Sequence, residues 1–143
     1  MLIVWLTVFY TFSVLTQFTS KNTNSIKASM LLEEGSEALR SLRDSSWKTN
    51  IAPLSSGVDY RLLYSMSTDS WTIINEPSMI DGKFDRTFSL SDVSRDSSTF
   101  NVVSSGGVFD ADSKKVDITV SWYQGNATTS ESLETYIFND FNK

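Results

Sequence analysis

Residues 1–20, MLIVWLTVFYTFSVLTQFTS, include no charged side chain, and this run sets the expected architecture. Thirteen of its first eighteen residues are apolar or aromatic, and the first charged residue is Lys21. A helix of this length spans about 30 Å, close to the thickness of the hydrocarbon core of a bilayer. The rest of the chain has the composition of a small acidic domain. The sequence therefore predicts one apolar helix attached to one polar head.

The composition excludes several functional classes. With 143 residues the chain has room for a single domain, and its net charge of -5 with a pI near 4.6 argues against a nucleic-acid partner. The chain has no cysteine and no histidine, which removes disulfides, the usual zinc sites and imidazole-based catalysis. Paired carboxylates remain, but Glu33 and Glu34 are adjacent on a predicted helix and point apart. We therefore expect no enzyme, no cofactor and no metal site.

The apolar start has three interpretations. A cleaved secretory signal would need a basic segment before the apolar run and a small-residue cleavage motif after it, and neither is present. A permanent transmembrane anchor fits the length. The third interpretation is a helix that is held in a membrane and later packs against copies of itself. Five polar residues interrupt the run and suit this third interpretation, because hydroxyl groups can bond back to helix carbonyls; they are Thr7, Thr11, Ser13, Thr16 and Gln17.

A second helical pattern follows a short polar stretch. Residues 19–25 (TSKNTNS) are poor helix formers, and we predict a hinge there that melts when the helix is pulled. Its residues are Ser20, Lys21, Asn22, Thr23 and Asn24. From 25 to 46, apolar residues recur at helical spacing and form one face; they are Leu31, Leu32, Gly35, Ala38, Leu39 and Leu42. The predicted organisation is an apolar helix at 1–24, an amphipathic helix at 25–46 and a head domain at 47–143.

Beyond Trp47, which we expect to close the core, the pattern changes to the two-residue period of strands. The predicted strands are 58–65, 70–75, 84–93, 100–103, 116–123 and 130–138. Predicted turns lie at Asp81-Gly82, Gly106-Gly107, 110–113 and Gly125-Asn126. The expected fold is α+β, with the long N-terminal helix packed on a mostly antiparallel sheet of five or six strands.

Three local motifs carry little functional weight. Asp110-Ala-Asp112 begins like a calcium loop, but the later ligand positions hold Lys114, Lys115 and Ser121, so a turn is the better interpretation. The sequon at Asn126 makes that residue a candidate for glycosylation. The adjacent residues Asp85-Arg86 and Arg95-Asp96 flank one predicted strand and are expected to be solvated strand ends. The alternative is a carboxylate–guanidinium pair across the sheet, which contributes little at a surface.

The order of these features resembles the type IV pilin-like proteins, closely those of reduced-genome candidate-phyla bacteria. The resemblance covers about residues 30–137. It rests on the helix end LLEEGSEALRSLRDSSW (31–47), the strand DGKFDRT (81–87), the step VSRD (93–96), the segment DSKKV (112–116), the strand end VSW (120–122) and the last strand SLETY (132–136).

The resemblance implies a structural subunit of a type IV pilus-like extracellular filament that serves adhesion, motility or uptake. Such a subunit is anchored in the inner membrane before assembly, is handled by pilus assembly machinery, and has copies of itself as partners in a helical homopolymer. The implied filament-core residues are Met1, Leu2, Ile3, Val4, Trp5, Leu6, Val8, Phe9, Phe12 and Leu15. The alternatives are a minor pseudopilin of a type II secretion-like machine and a membrane-anchored binding domain that does not polymerise.

The start of the chain departs from the family pattern. A typical mature pilin has Glu at its fifth position, where the carboxylate neutralises the N-terminal amine of a neighbouring subunit; here Trp5 takes that place. The amine would then need water, a backbone carbonyl or a hydroxyl such as that of Thr7 as a partner. Intact mass would distinguish a processed, methylated Met1 from a start codon.

Overall fold

The computed structural model describes the backbone of residues 2–140 and the side chains in that range except at positions 2–4, 6, 17 and 18. A long helix and a short helix precede seven strands. They are α1 (Leu2–Ser45), α2 (Trp47–Asn50), β1 (Tyr60–Ser65), β2 (Ser70–Ile74), β3 (Met79–Ile80), β4 (Phe84–Arg95), β5 (Val102–Val103), β6 (Val108–Gln124) and β7 (Ala127–Phe138). The predicted α+β class is confirmed, and the long helix on an antiparallel sheet is a pilin-like architecture.

The two helical segments predicted from the sequence form one continuous helix, α1. The polar stretch is helical as well, and its threonine hydroxyls bond back along the helix: the Thr19 hydroxyl donates to the Leu15 carbonyl (2.9 Å) and the Thr23 hydroxyl to the Thr19 carbonyl (3.0 Å). The predicted hinge residues therefore lie within an unbroken helix, and melting under load stays a prediction. After α1, the Ser46 hydroxyl caps α2 by accepting from the Thr49 amide, and Trp47 is buried as predicted.

The sheet has the strand order β2-β1-β4-β6-β7, and every pairing is antiparallel. The short strands β3 and β5 both pair with β4. The second half of α1 lies across one face, and the predicted apolar face of that helix is buried against it. The sheet side of this core is formed by Phe84, Phe88, Leu90, Val116, Ile118, Val120, Trp122 and Ile137.

The structure differs from the sequence prediction in the region of β6. The predicted turn at 110–113 is wrong, because these residues lie inside β6, which begins at Val108 rather than at Val116. The register jumps from Asp92 opposite Lys114 to Val93 opposite Asp110, so three residues of β6 bulge out. The Asp110 carboxylate accepts from the Asp112 amide (3.0 Å) and the Ser113 hydroxyl (2.5 Å), so the turn-forming hydrogen bonds are made within a bulge.

The other turns follow the sequence signals. Asp81 and Gly82 have φ of 53° and 63°, and the Lys83 amide donates to the Ile80 carbonyl (3.1 Å), as in a type I′ turn. The turn between β6 and β7 is at Gly125-Asn126, with a positive φ of 65° at Gly125. These two turns join β3 to β4 and β6 to β7. The tip of the β6–β7 hairpin lies near the middle of α1, where the helix begins to pack on the sheet.

Candidate functional site

The two halves of α1 differ in what surrounds them. From Asn24 onward, one face of the helix is buried on the sheet, whereas every described side chain from Trp5 to Thr23 is exposed. The exposed fraction of the large apolar side chains in this first half runs from 48% at Val14 to 72% at Tyr10. We call residues 2–23 the rod and residues 24–140 the head. At 1.5 Å per residue the rod extends roughly 33 Å.

The rod is apolar on all sides. Successive helix residues are turned by about 100°, so Trp5, Val8, Tyr10 and Val14 point in different directions around the axis. The only charged residue in the rod is Lys21, at its head end. A helix that is apolar on every side is normally found buried in a protein core or among other helices. The rod therefore carries a surface suited to burial, and none of the described head residues covers it.

The hydroxyl groups of the rod do not interrupt this surface as strongly as the sequence suggests. The Thr11 hydroxyl donates to the Thr7 (2.9 Å) and Val8 (3.0 Å) carbonyls. The Thr16 hydroxyl donates to the Phe12 (3.1 Å) and Ser13 (2.9 Å) carbonyls. Because these donors are satisfied within the helix, the cost of removing them from water is reduced.

Polar contacts fix the rod where it leaves the head. The Lys83 ammonium donates to the Asn24 side-chain oxygen (2.6 Å), and Asn24 is buried. Lys27 is paired with Asp81 (3.2 Å) one turn further on. Ala28, on the side of α1 that faces the core, is fully buried. The β3–β4 turn thus holds the base of α1 and sets the direction in which the rod projects.

A buried arginine locks the second half of α1 onto the sheet. The Arg86 guanidinium donates to the Leu31 carbonyl (3.1 Å) and to the Glu34 carboxylate (2.8 Å), and it lies 5.3 Å from the centre of the Trp71 ring. Gly35 leaves room for it. At the far end of α1, Arg43 lies 3.7 Å from Asp140 after β7. These contacts at both ends give the rod a rigid support.

The predicted filament-core residues are placed as follows. Met1 lies outside the described residues, and the side chains of Leu2, Ile3, Val4 and Leu6 lie outside the described side chains. Trp5, Val8, Phe9, Phe12 and Leu15 are all exposed on the rod.

The prediction left out two exposed apolar residues of the rod, Tyr10 and Val14. They belong to the same uncharged run, which was the available signal. Because apolar residues occur all around the helix, the sequence offers no reason to select one face as the filament core.

The acidic and basic side chains of the head pair with partners that the sequence did not identify. Asp85 accepts two hydrogen bonds from Arg61 (2.7 and 2.8 Å), which raises the pKa of Arg61. Arg86 points to the opposite face, toward Glu34, because neighbouring residues on a strand alternate. Arg95 pairs with Asp110 (2.5 Å) rather than with Asp96.

The other candidate residues from the sequence, such as Asp110 and Asn126, lie in the head and not in the rod. Hydrogen bonds from the Ser113 hydroxyl and from Arg95 hold the pKa of Asp110 below its usual value. Among the described residues, no three acidic side chains are grouped so that they could hold a metal ion. Asn126 is exposed at the tip of the β6–β7 hairpin, and its glycosylation stays a prediction.

Comparisons with models of protein families, with curated proteins and with solved structures found no match to this chain. Across the part of the chain that the structure describes, no helix is both long enough and apolar enough to cross a membrane.

Proposed function

We propose that the chain is a structural subunit of a type IV pilus-like extracellular filament. In this proposal the rods of many copies bundle in the filament core, and the heads form the outer surface. The filament serves adhesion, motility or uptake. The subunit waits at the inner membrane until the pilus assembly machinery draws it into the polymer.

The observation that carries the proposal is the rod, an exposed and nearly uncharged helix that is apolar on all sides. Burying roughly 1,500 Å² of its apolar surface at about 25 cal/mol per Å² would contribute on the order of tens of kcal/mol before the costs of association. The rods of identical copies are suitable packing partners, because each of them has the same apolar surface to bury. In the proposed polymer the contact is heterologous and its rotation does not close, so it extends into a fibre.

Trp5 changes the chemistry of the proposed core at the position where pilins carry a carboxylate. Its exposed indole on the rod offers a large apolar contact and one N–H donor. The proposed core is therefore held by apolar packing around this position. The hinge at 20–24 would melt only when an assembled filament is stretched, since the helix is continuous there in the single chain.

Electron microscopy of the full chain tests the proposal. We expect filaments from the native protein and none from Phe9→Asp, because an unpaired carboxylate in a helix bundle costs several kcal/mol per copy. Met66→Asp is the matched control, since Met66 is 92% exposed in the β1–β2 turn of the head. Both variants should keep the circular dichroism of the native chain.

The outcomes separate the proposal from its alternatives. Filaments that persist in Phe9→Asp contradict the rod-bundle core. A native chain that stays in the membrane fraction and never polymerises favours the membrane-anchored binding domain. Short stubs that form only with other subunits favour a minor pseudopilin. Intact mass of the native protein checks whether residue 1 is a processed, methylated N-terminus.

A further inference from the structure

Strand β7 is a long edge of the sheet with an open outer side. It has 12 residues, and its pairing with β6 runs from Ala127 to Phe138 without a bulge. The opposite edge, β2, has only five residues. Natural sheets protect a long edge with lysine, proline, a bulge or a covering segment. β7 contains no lysine, arginine or proline, and among the described strands only β6 pairs with it.

The backbone groups of alternate residues point out from this edge. The Asn139 amide donates to the Asp112 carbonyl of β6 (2.9 Å), so the odd-numbered positions bond to β6. Because hydrogen bonding alternates along an antiparallel pair, the even-numbered residues of β7 direct their amides and carbonyls away from β6. All six of these residues are exposed; they are Thr128, Ser130, Ser132, Glu134, Tyr136 and Phe138. They form a row to which a further strand can bond.

A further strand would also complete the core at this edge. On β6 the core-facing residues Val116, Ile118 and Val120 are fully buried. Leu133, which lies opposite Ile118 on β7, packs on the same core but is only partly buried. The burial of apolar side chains therefore decreases from β6 to β7, because no described strand lies beyond β7.

The pattern of β7 favours a second β7 as this strand. Two identical edges can pair antiparallel about a two-fold axis, which is the commonest symmetry of protein dimers. With Leu133 opposite Leu133 of the second copy, all six outward residues find partners within the strands. The opposed pairs, each formed twice, are Thr128 with Phe138, Ser130 with Tyr136, and Ser132 with Glu134. A shift by two residues in either direction leaves Thr128 or Phe138 without a strand partner.

The charges of β7 are compatible with this register. Glu131 lies opposite Thr135 of the second copy, and Glu134 lies opposite Ser132, so no like charges are directly opposed. Within its own chain Glu134 is already paired with Lys115 (2.8 Å). Directly opposed like charges would destabilise a pair of strands, whereas Leu133 against Leu133 adds an apolar contact at the centre.

The direction of β7 fixes the relative orientation of the two copies. β7 begins at the hairpin tip near Ser20 and Lys21, and the chain just beyond it contacts Arg43 through Asp140. β7 and the packed half of α1 therefore run the same way, away from the rod. A two-fold axis reverses the strand, so the rods of the two copies project from opposite ends.

We propose that two copies of the chain pair through their β7 edges into a two-fold dimer with one continuous sheet. Neighbours whose rods are parallel in one bundle do not pair in this way. If the chain forms the filament of the proposed function, the β7 pairing joins two filaments that lie side by side in opposite directions.

Sedimentation of the full chain in detergent tests the pairing. We use the Phe9→Asp chain, in which bundling of rods is opposed by a carboxylate, so that association through the head is measured. Ser132→Pro removes one outward amide near the centre of the edge, where proline is tolerated because the lost N–H does not bond to β6. Ser132→Thr is the matched control, since it keeps the amide. Circular dichroism compares the fold of the variants.

We expect a dimer from Phe9→Asp and from Phe9→Asp with Ser132→Thr, and loss of the dimer with Ser132→Pro. A monomeric Phe9→Asp chain would overturn the pairing. A dimer that persists unchanged in a folded Ser132→Pro variant would overturn it as well.

Distances between spin labels test the register and decide the case in which Ser132→Pro does not fold. The native chain has no cysteine, so a label attaches only at Ser132→Cys or at Thr128→Cys. In the proposed register the two copies of position 132 are offset by about 7 Å along the strands, and those of position 128 by about 34 Å. Short distances at both positions would indicate a parallel pair, and no measurable distance at either would indicate no pairing; both results contradict the proposal.

The Phe9→Asp background separates this inference from the filament proposal. Filaments of the native chain, together with a monomeric Phe9→Asp chain, keep the rod bundle and remove the β7 pairing. A Phe9→Asp dimer, together with a native chain that never forms filaments, keeps the β7 pairing and removes the rod bundle. Absence of both assemblies overturns both proposals.

Discussion

Gly35 of α1 lies directly over Arg86 of β4: a Cβ atom at Gly35 would come within 3.1 Å of the Arg86 Cδ and 3.4 Å of the Ile118 Cγ2. The missing side chain allows the helix to lie close to the sheet with a buried guanidinium between them. Arg86 is held in place by Leu31, Glu34 and Trp71, so it has little room to move. The orientation of the rod depends on this contact.

We predict that Gly35→Ala destabilises the head although it improves helix propensity. Alanine gains about 1 kcal/mol over glycine within a helix, whereas overpacking costs about 1–3 kcal/mol, so we expect a net loss of about 1 kcal/mol. Urea unfolding followed by circular dichroism measures it. Ser41→Ala, on the exposed side of α1, should be neutral or slightly stabilising. A Gly35→Ala variant more stable than the native chain would mean that Arg86 can shift.

We predict that the shape of Arg86 matters more than its charge. Its Nε is buried without a hydrogen-bond partner, and Glu34 is half exposed and can be hydrated when the arginine is replaced. Arg86→Met should therefore stay within about 1 kcal/mol of the native free energy of unfolding, because buried ion pairs are often replaceable by apolar side chains. Arg86→Ala should lose about 3 kcal/mol through the cavity it leaves. Equal losses in both variants would show that the ion pair itself is required.

We predict that Phe100→Gly stabilises the head. Glycine adopts a positive φ without steric cost, and the lost ring is mostly exposed, so we expect a gain of up to about 1 kcal/mol. Thermal unfolding measures the gain. Val108→Gly is the contrasting change, since Val108 is a strand residue with ordinary φ and should only lose stability. A Phe100→Gly variant less stable than the native chain would contradict the strain.

We predict that the turn at 96–100 loses its order only in strong acid. Hydrogen bonds from the Ser98 hydroxyl, and then from the Thr99 and Ser98 amides, hold the pKa of Asp96 far below its usual 3.8. Because the folded pKa is the lower one, this contribution is complete above the unfolded value and is lost as the pH falls through the folded pKa.

The amide NMR signals of Ser98 and Thr99 report this titration, and Asp96→Asn should abolish it. A titration midpoint at the ordinary pKa of aspartate would contradict the role of the hydrogen bonds from Ser98 and Thr99.

Local sequence patterns were sufficient to predict the division into a long N-terminal helix and a sheet packed on its second half. The uncharged run at 1–20, the helical spacing of Leu31, Ala38 and Leu42, and the alternation within β4 and β6 are local patterns, and the structure confirms the α+β class and the buried face of α1. Turn signals at Asp81-Gly82 and Gly125-Asn126 were also sufficient, since positive φ values are a property of a few residues.

Features that depend on partners distant in sequence emerge only in the packed head. The start of β6 was missed because Asp110 and Ser113 are typical turn residues, and only pairing with β4 and β7 makes them part of a bulge. Arg86 and Glu34 are 52 residues apart, so no local pattern pairs them. The sequence pattern predicts a strand that begins at Phe100. In the structure Phe100 lies in a turn, where its amide donates to the Asp96 carbonyl and its φ is positive. Local patterns fix the elements because they depend on neighbouring residues, whereas the orientation of the rod and the backbone conformation of Phe100 require the packed head.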